Sequence, residues 1–176
     1  TLQWLREYEK RYKKSEYGEI FDNQEKRSDE VIEPIKFQIP ALYELSKTRE
    51  EGYKKAMIVV GTGLGKTYLA VFDSMNFKRV LFIAHRDEIL RGARNSFESV
   101  YRDSRSYGYF KALEKEGKKD IVFASISTLS KSEYLRDEWF AKDSFDYIVV
   151  DEFHHSSSKS YLKVLNYFQP QFLLGL

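Results

Sequence analysis

An α/β fold, with a mostly parallel sheet covered by helices, is predicted by two features of the chain. Five short apolar runs lack strict polar alternation: KAMIVV (55–60), RVLFIA (79–84), DIVFAS (120–125), YIVVD (147–151) and FLLGL (172–176). Such runs suit strands buried on both faces. Amphipathic stretches lie between them: KTYLAVFDSMN, DEILRGARNSFESVY, SKSEYLRDEWF and KSYLKVLNYF. Each is expected to be a helix, and strands alternating with helices argue for parallel pairing.

The N-terminal segment is different in character. Leu2, Leu5, Tyr8 and Tyr12 recur at helical spacing, so residues 1–15 are expected to form an amphipathic helix. Residues 16–33 are polar and acidic without a period, and a linker is expected there, ending at Pro34. The expected division is therefore an N-terminal helical extension and linker over 1–33 and a globular lobe over 34–176. FQIPALYELSK opens that lobe as a short helix, with Pro40 tolerable only in its first turn.

Composition narrows the function. With no cysteine there are no disulfides and no thiolate metal sites, which agrees with a cytoplasmic location. No apolar run approaches the ~18 residues that span a bilayer, so no membrane partner is expected. A net charge of +2 from 29 basic and 27 acidic residues does not announce a nucleic-acid partner. Between Lys78 and Lys119, however, 11 Lys or Arg face 6 Asp or Glu, a mild basic bias in one segment.

The strongest motif is VVGTGLGKTYLA, in which glycines 61, 63 and 65 precede Lys66 and Thr67 between an expected strand and helix. A loop that wraps a triphosphate aims several backbone N–H groups inward, which demands glycine and benefits from a helix N-terminus. Thr62, Gly63, Leu64 and Gly65 would cradle phosphate, Lys66 would reach the β- and γ-phosphates, and the Thr67 hydroxyl would ligate Mg²⁺. The strict pattern has glycine where this chain has Val60.

A second cluster, VVDEFHHSSS, places Asp151 and Glu152 at the end of a strand. Beside a phosphate loop, the Asp can hold the Mg²⁺ shell and the Glu can orient or deprotonate the attacking water. Ligands of parallel sheets bind at the strands' carboxyl ends, so both motifs fall where one site needs them. A zinc site at His154 and His155 lacks further ligands at suitable spacing.

With these motifs in place, the chain resembles the superfamily 2 helicases and translocases, in the DEAD/DEAH-like group that includes the motor subunit of type III restriction enzymes. Four further stretches carry the resemblance across residues 34–176. FQIPAL is similar to the adenine-reading Q motif, LFIAHRDEIL to motif Ia, FASISTL to motif Ib, and FLLGL to the strand before motif III. The resemblance implies a RecA-like P-loop NTPase lobe that uses ATP and Mg²⁺ and moves on nucleic acid, DNA more than RNA. It implies that Gln38 and Phe37 contact adenine, and that His85, Arg86, Ser125 and Thr128 contact a nucleic-acid backbone. By the same resemblance His154 couples nucleotide state to that backbone, and Lys66, Asp151 and Glu152 carry the hydrolysis.

Because the sequence stops at Leu176, just before motif III, a second RecA-like lobe with its arginines is expected elsewhere in a parent chain. Alone, this stretch is expected to be nearly inactive as an ATPase. Three other readings compete: an RNA helicase lobe, a small-molecule kinase, and a nucleotide-sensing binding module. A kinase needs an arginine-rich lid, for which the chain shows no candidate, and a pure sensor has no need of Glu152.

Overall fold

The computed structural model describes residues 32–35, 38–61, 65–153 and 158–176. The expected N-terminal helix over 1–15, and most of the linker, lie outside the described residues.

A seven-stranded sheet forms the centre of the lobe, in the order β1-β7-β6-β2-β5-β3-β4. Its strands are β1 (Lys55–Met57), β2 (Val80–Ala84), β3 (Tyr107–Lys111), β4 (Glu114–Lys115), β5 (Ile121–Ser125), β6 (Tyr147–Val150) and β7 (Phe172–Gly175). All neighbours pair in parallel except β3 and β4, which form an antiparallel hairpin. Among the described residues five α-helices accompany them: α1 (Gln38–Glu50), α2 (Lys66–Asp73), α3 (Asp87–Tyr101), α4 (Ile126–Leu129) and α5 (Lys159–Tyr167).

Alternate side chains of the central strands enter two cores. Val80, Phe82, Ile121, Phe123, Tyr147 and Val149 pack under α1, α2 and α3. On the opposite face, Leu81, Ile83, Val122, Ala124, Ile148 and Val150 meet α4, α5 and the segment around Phe140 and Phe145. Every residue of β2, β5 and β6 is buried, which explains their unbroken apolar runs. α3 shows the same logic at helical spacing: Leu90, Ala93 and Phe97 are its buried residues.

Two elements depart from expectation. SKSEYLRDEWF, expected as a helix, consists of turns after the single helical turn of α4. Its aromatic residues are committed to tertiary packing instead, with Tyr134, Trp139 and Phe140 meeting the Phe110 ring at centroid distances of 5.0, 5.7 and 4.9 Å. Aromatic contacts of this kind outweigh the modest propensity of a polar segment for helix. The β3–β4 hairpin carried no expectation at all. Gly108 admits it, since a Cβ there would lie 2.4 Å from the Glu116 carbonyl oxygen.

A buried polar knot fastens the helices of one face to the sheet. The Arg49 guanidinium meets both carboxylate oxygens of Asp73 at 2.9 and 2.8 Å, and the Tyr147 hydroxyl donates to Asp73 Oδ2 at 2.6 Å. Arg49 also lies over the Phe172 ring, 4.9 Å from its centroid. One cation thus ties the C-terminal end of α1 to α2, β6 and β7.

Candidate functional site

The site lies along the carboxyl ends of β1, β6, β2 and β5. Gly65 precedes α2 in the left-handed conformation, at φ 74° and ψ 35°, which glycine adopts without steric cost. Lys66 and Thr67 then occupy the first helical positions, where backbone N–H groups and the helix dipole favour an anion. Thr62, Gly63 and Leu64 lie outside the described residues, as do Phe37 and His154.

Gln38 is placed against this loop. Only 3% exposed, it donates through Nε2 to the Gly65 carbonyl at 3.1 Å and accepts from the Ile35 N–H at 3.0 Å. The side-chain amide therefore joins the turn before α1 to the phosphate loop. One donor hydrogen and one lone pair remain for a base edge. A Cβ on residue 65 would come within 2.9 Å of Gln38 Nε2, the end of a flexible side chain that would have to shift, so it is the positive φ that requires the glycine here.

The acids sit on a tightly fastened turn after β6. The Asp151 N–H donates to the Ile83 carbonyl at 3.0 Å, and the Phe153 N–H donates to the Leu176 carbonyl at 3.0 Å. Phe153 packs so closely on β7 that a Cβ on Gly175 would be 2.6 Å from its ring. Between them Glu152 is forced to φ 53°, a left-handed conformation uncommon for a glutamate. Its N–H donates to Asp151 Oδ1 at 2.9 Å.

Electrostatics distinguish the two acids. Burial pushes the Asp151 carboxyl above the ordinary carboxylate range, while the Glu152 N–H and the Lys66 ammonium pull it back. A half-buried carboxyl beside a lysine on a phosphate loop is a suitable ligand for a divalent cation. Glu152 is turned toward β2 instead, where its Oε2 lies 2.7 Å from His85 Nδ1. Arg86 Nε donates to the other ring nitrogen of His85, Nε2, at 3.0 Å.

The residues expected at a nucleic-acid backbone divide into two groups. His85 and Arg86 are exposed at the end of β2 and remain available from solvent. Ser125 and Thr128 are buried, at 5% and 6% exposure, and are committed to each other: Ser125 Oγ donates to Thr128 Oγ1 at 2.9 Å. Thr128 Oγ1 also accepts from the Ala112 N–H at 3.1 Å, which fixes the tip of the β3–β4 hairpin to α4. Their hydroxyls brace the structure internally, so any contact of these two residues with a phosphate would fall to their backbone groups. The exposed hydroxyl of this motif belongs to Ser127 between them.

Tyr161 was not legible as a site residue. Its side chain is 2% exposed on α5, and its hydroxyl has no hydrogen-bond partner among the described residues. Burial, with further contributions from Glu152 and Asp151, pushes its pKa up to about 12. A tyrosine in an apolar helix face reads as core, and only the fold reveals that its polar end neighbours the acids.

The donor set fits a nucleotide bound with a divalent cation. Glycine-lined backbone, a lysine and a threonine open a helix on one side; an aspartate and a glutamate end a strand on the other. No group of three or more acidic or histidine side chains poised for a metal exists among the described residues. No helix among the described residues is long and apolar enough to cross a membrane.

The chain is similar to several known proteins. The endonuclease subunit of the type I restriction enzyme EcoAI of Escherichia coli is 24% identical over 152 residues, covering 81% of this chain and 19% of its own length. A putative ATP-dependent RNA helicase of Acanthamoeba polyphaga mimivirus is 29% identical over 135 residues, covering 74% of this chain and 24% of its own. The putative mitochondrial ATP-dependent helicase irc3 of Schizosaccharomyces pombe is 28% identical over 127 residues, covering 68% and 20%. The chain thus spans about a fifth of the length of these relatives.

Among solved structures, the SWI2/SNF2 ATPase core of Sulfolobus solfataricus in complex with dsDNA superposes with a TM-score of 0.62 at 18% identity, over 84% of this chain and 34% of that one. The Type ISP restriction-modification enzyme LlaGI, a nuclease-deletion mutant bound to a DNA substrate mimic, gives 0.60 at 15% identity, over 82% and 17%. These two share the fold of the described lobe. Residues 31–176 match the family described as Type III restriction enzyme, res subunit, and with that match spanning the sheet, the phosphate loop and the acidic turn, the chain belongs to the ResIII family.

Proposed function

We propose that the chain is the ATP-binding lobe of a nucleic-acid-dependent ATPase, a helicase or translocase of the restriction or repair type, acting on DNA more readily than on RNA. The observation that carries this reading is the convergence of Lys66 with Asp151 and Glu152 at the carboxyl ends of strands separated in sequence. Lys66 binds the β- and γ-phosphates, and the Thr67 hydroxyl and Asp151 carboxylate are the protein groups that would hold Mg²⁺. Bound there, the cation would neutralise phosphate charge. Glu152 orients the attacking water and takes its proton, while the amides of residues 62–65 cradle the phosphates and Gln38, with Phe37, reads the adenine.

Arg86 and the exposed Ser127 grip a nucleic-acid backbone, and His154 transmits nucleotide state to that side. Contacts of this kind carry little sequence information. Hydrolysis at useful rates requires a second RecA-like lobe in the same polypeptide, whose arginines complete the site; such a residue is worth ~10³ to 10⁵ in turnover in P-loop enzymes. Nucleotide binding by the lobe itself is open to direct measurement. Calorimetry with Mg-ADP should show binding that Lys66→Ala weakens by at least about tenfold, the loss of one charge-assisted phosphate contact. Equal affinity in the two proteins would remove the phosphate loop from the account.

A further inference from the structure

The tip of the β3–β4 hairpin carries the most exposed large apolar side chain among the described residues. Leu113, in the two-residue turn Ala112–Leu113, is 97% exposed. Turns of this length favour glycine, asparagine or aspartate, and a leucine so exposed adds almost nothing to the core. The turn is nevertheless firmly held. Ala112 has φ 36°, a left-handed conformation that a non-glycine residue keeps only where its surroundings impose it. Its N–H donates to Thr128 Oγ1 at 3.1 Å, and its carbonyl accepts from Lys115 Nζ. One residue earlier, the buried Lys111 donates to Asp87 Oδ2 at 2.8 Å.

These clamps fix where the tip lies. Asp87 follows Arg86 in sequence and Thr128 follows Ser127, so the hairpin is pinned to both segments that carry the proposed backbone contacts. Strand register agrees: Phe110 lies opposite Ala124 and Ala84 opposite Ser125, which brings the ends of β2, β3 and β5 to one rim. The tip itself suits no phosphate. Lys111 and Lys115 are engaged within the hairpin and by Asp87, while the half-exposed acids Asp87 and Glu114 flank the turn. An apolar group beside acids favours the uncharged part of a polynucleotide, its bases.

We infer that Leu113 is a base-contacting residue, which packs against the unstacked bases of a single strand whose phosphates are held by Arg86 and Ser127. The inference rests on the proposed nucleic-acid role of those two residues and adds to it a contact of a different chemical kind. Single strands expose base faces that a duplex encloses, and apolar contact with such faces tolerates any sequence. Rigidity matters here because a leucine on a fixed turn meets the base without first being ordered.

The test is the affinity of the full-length polypeptide carrying this lobe for two single strands of equal length, oligothymidylate and an abasic deoxyribose-phosphate chain, read by fluorescence anisotropy. The parent should bind oligothymidylate more tightly. Leu113→Ala, a change at a solvent-exposed position that leaves the fold intact, should weaken oligothymidylate binding severalfold and leave the affinity for the abasic chain unchanged. Leu113→Phe, which restores an apolar surface, should keep the preference. An unchanged ratio of the two affinities in Leu113→Ala, or an equal loss on both strands, would overturn the base contact. Arg86→Ala, expected to weaken both strands alike, separates the two failures. Intact binding in that variant would remove the backbone grip and the base contact with it, whereas an Arg86-dependent grip whose base preference survives Leu113→Ala would remove the base contact alone.

Discussion

At the scale of single residues, the site is made of side chains held in states they would not choose alone. Asp151 is raised by burial, so the folded lobe binds its proton more readily than the unfolded chain does. Stability from such a group is fully present below the unfolded pKa and is lost as pH rises through the folded value. Ionisation of Asp151 therefore costs the nucleotide-free lobe stability. Asp151→Asn should raise thermal stability by about 0.5–2 kcal/mol while abolishing Mg²⁺-dependent turnover, a trade-off expected at active sites. Differential scanning calorimetry alongside an ATPase assay checks both halves. Tyr161 offers a second case: its buried hydroxyl lacks a partner among the described residues, so Tyr161→Phe should leave stability unchanged or raise it by about 1 kcal/mol in urea denaturation.

At the scale of elements, close packing between β7 and the acidic turn sets the position of the acids. A methyl group on Gly175 would meet the Phe153 ring at 2.6 Å, so Gly175→Ala must displace that ring and the turn that carries it. The expected cost is about 1–3 kcal/mol by chemical denaturation, with turnover reduced more than nucleotide affinity. The start of β5 is fixed to the start of β3 by Asp120, whose Oδ2 accepts from the Ser106 N–H at 2.8 Å and the Ser106 hydroxyl at 2.7 Å. Those hydrogen bonds, the hydroxyl first, hold its carboxyl below the ordinary range. A depressed folded pKa gives stability above the unfolded value that is lost as pH falls through the folded one. Asp120→Asn should therefore cost stability at pH 7 and cost progressively less below about pH 4, measured as denaturation midpoints across pH.

For the whole molecule, the buried knot of Arg49, Asp73 and Tyr147 links both motif-bearing helices of one face to the sheet. Removing the carboxylate strands a cation and a buried hydroxyl together. Asp73→Ala should cost about 3–5 kcal/mol, read from thermal or urea unfolding. The strand-and-helix alternation was legible because β2, β5 and β6 are buried on both faces and α3 on one, so burial wrote itself into apolar runs and helical spacing. The phosphate loop and the acids were legible because their chemistry allows few substitutes at Gly65, Lys66, Asp151 and Glu152. Contacts between distant segments were not: nothing local announces that Thr128 will brace Ala112, that His85 will meet Glu152, or that Trp139 will leave helical order for the Phe110 ring.

The central claim, a nucleotide site whose hydrolysis answers to nucleic acid, is tested most directly by ATP turnover in the full-length polypeptide carrying this lobe. Rates are compared without polymer and with single-stranded DNA, duplex DNA or RNA, using Lys66→Ala as the background. Stimulation by DNA exceeding that by RNA, and abolished by Lys66→Ala, is the predicted result. Lysine-dependent hydrolysis at one rate under all four conditions would contradict it.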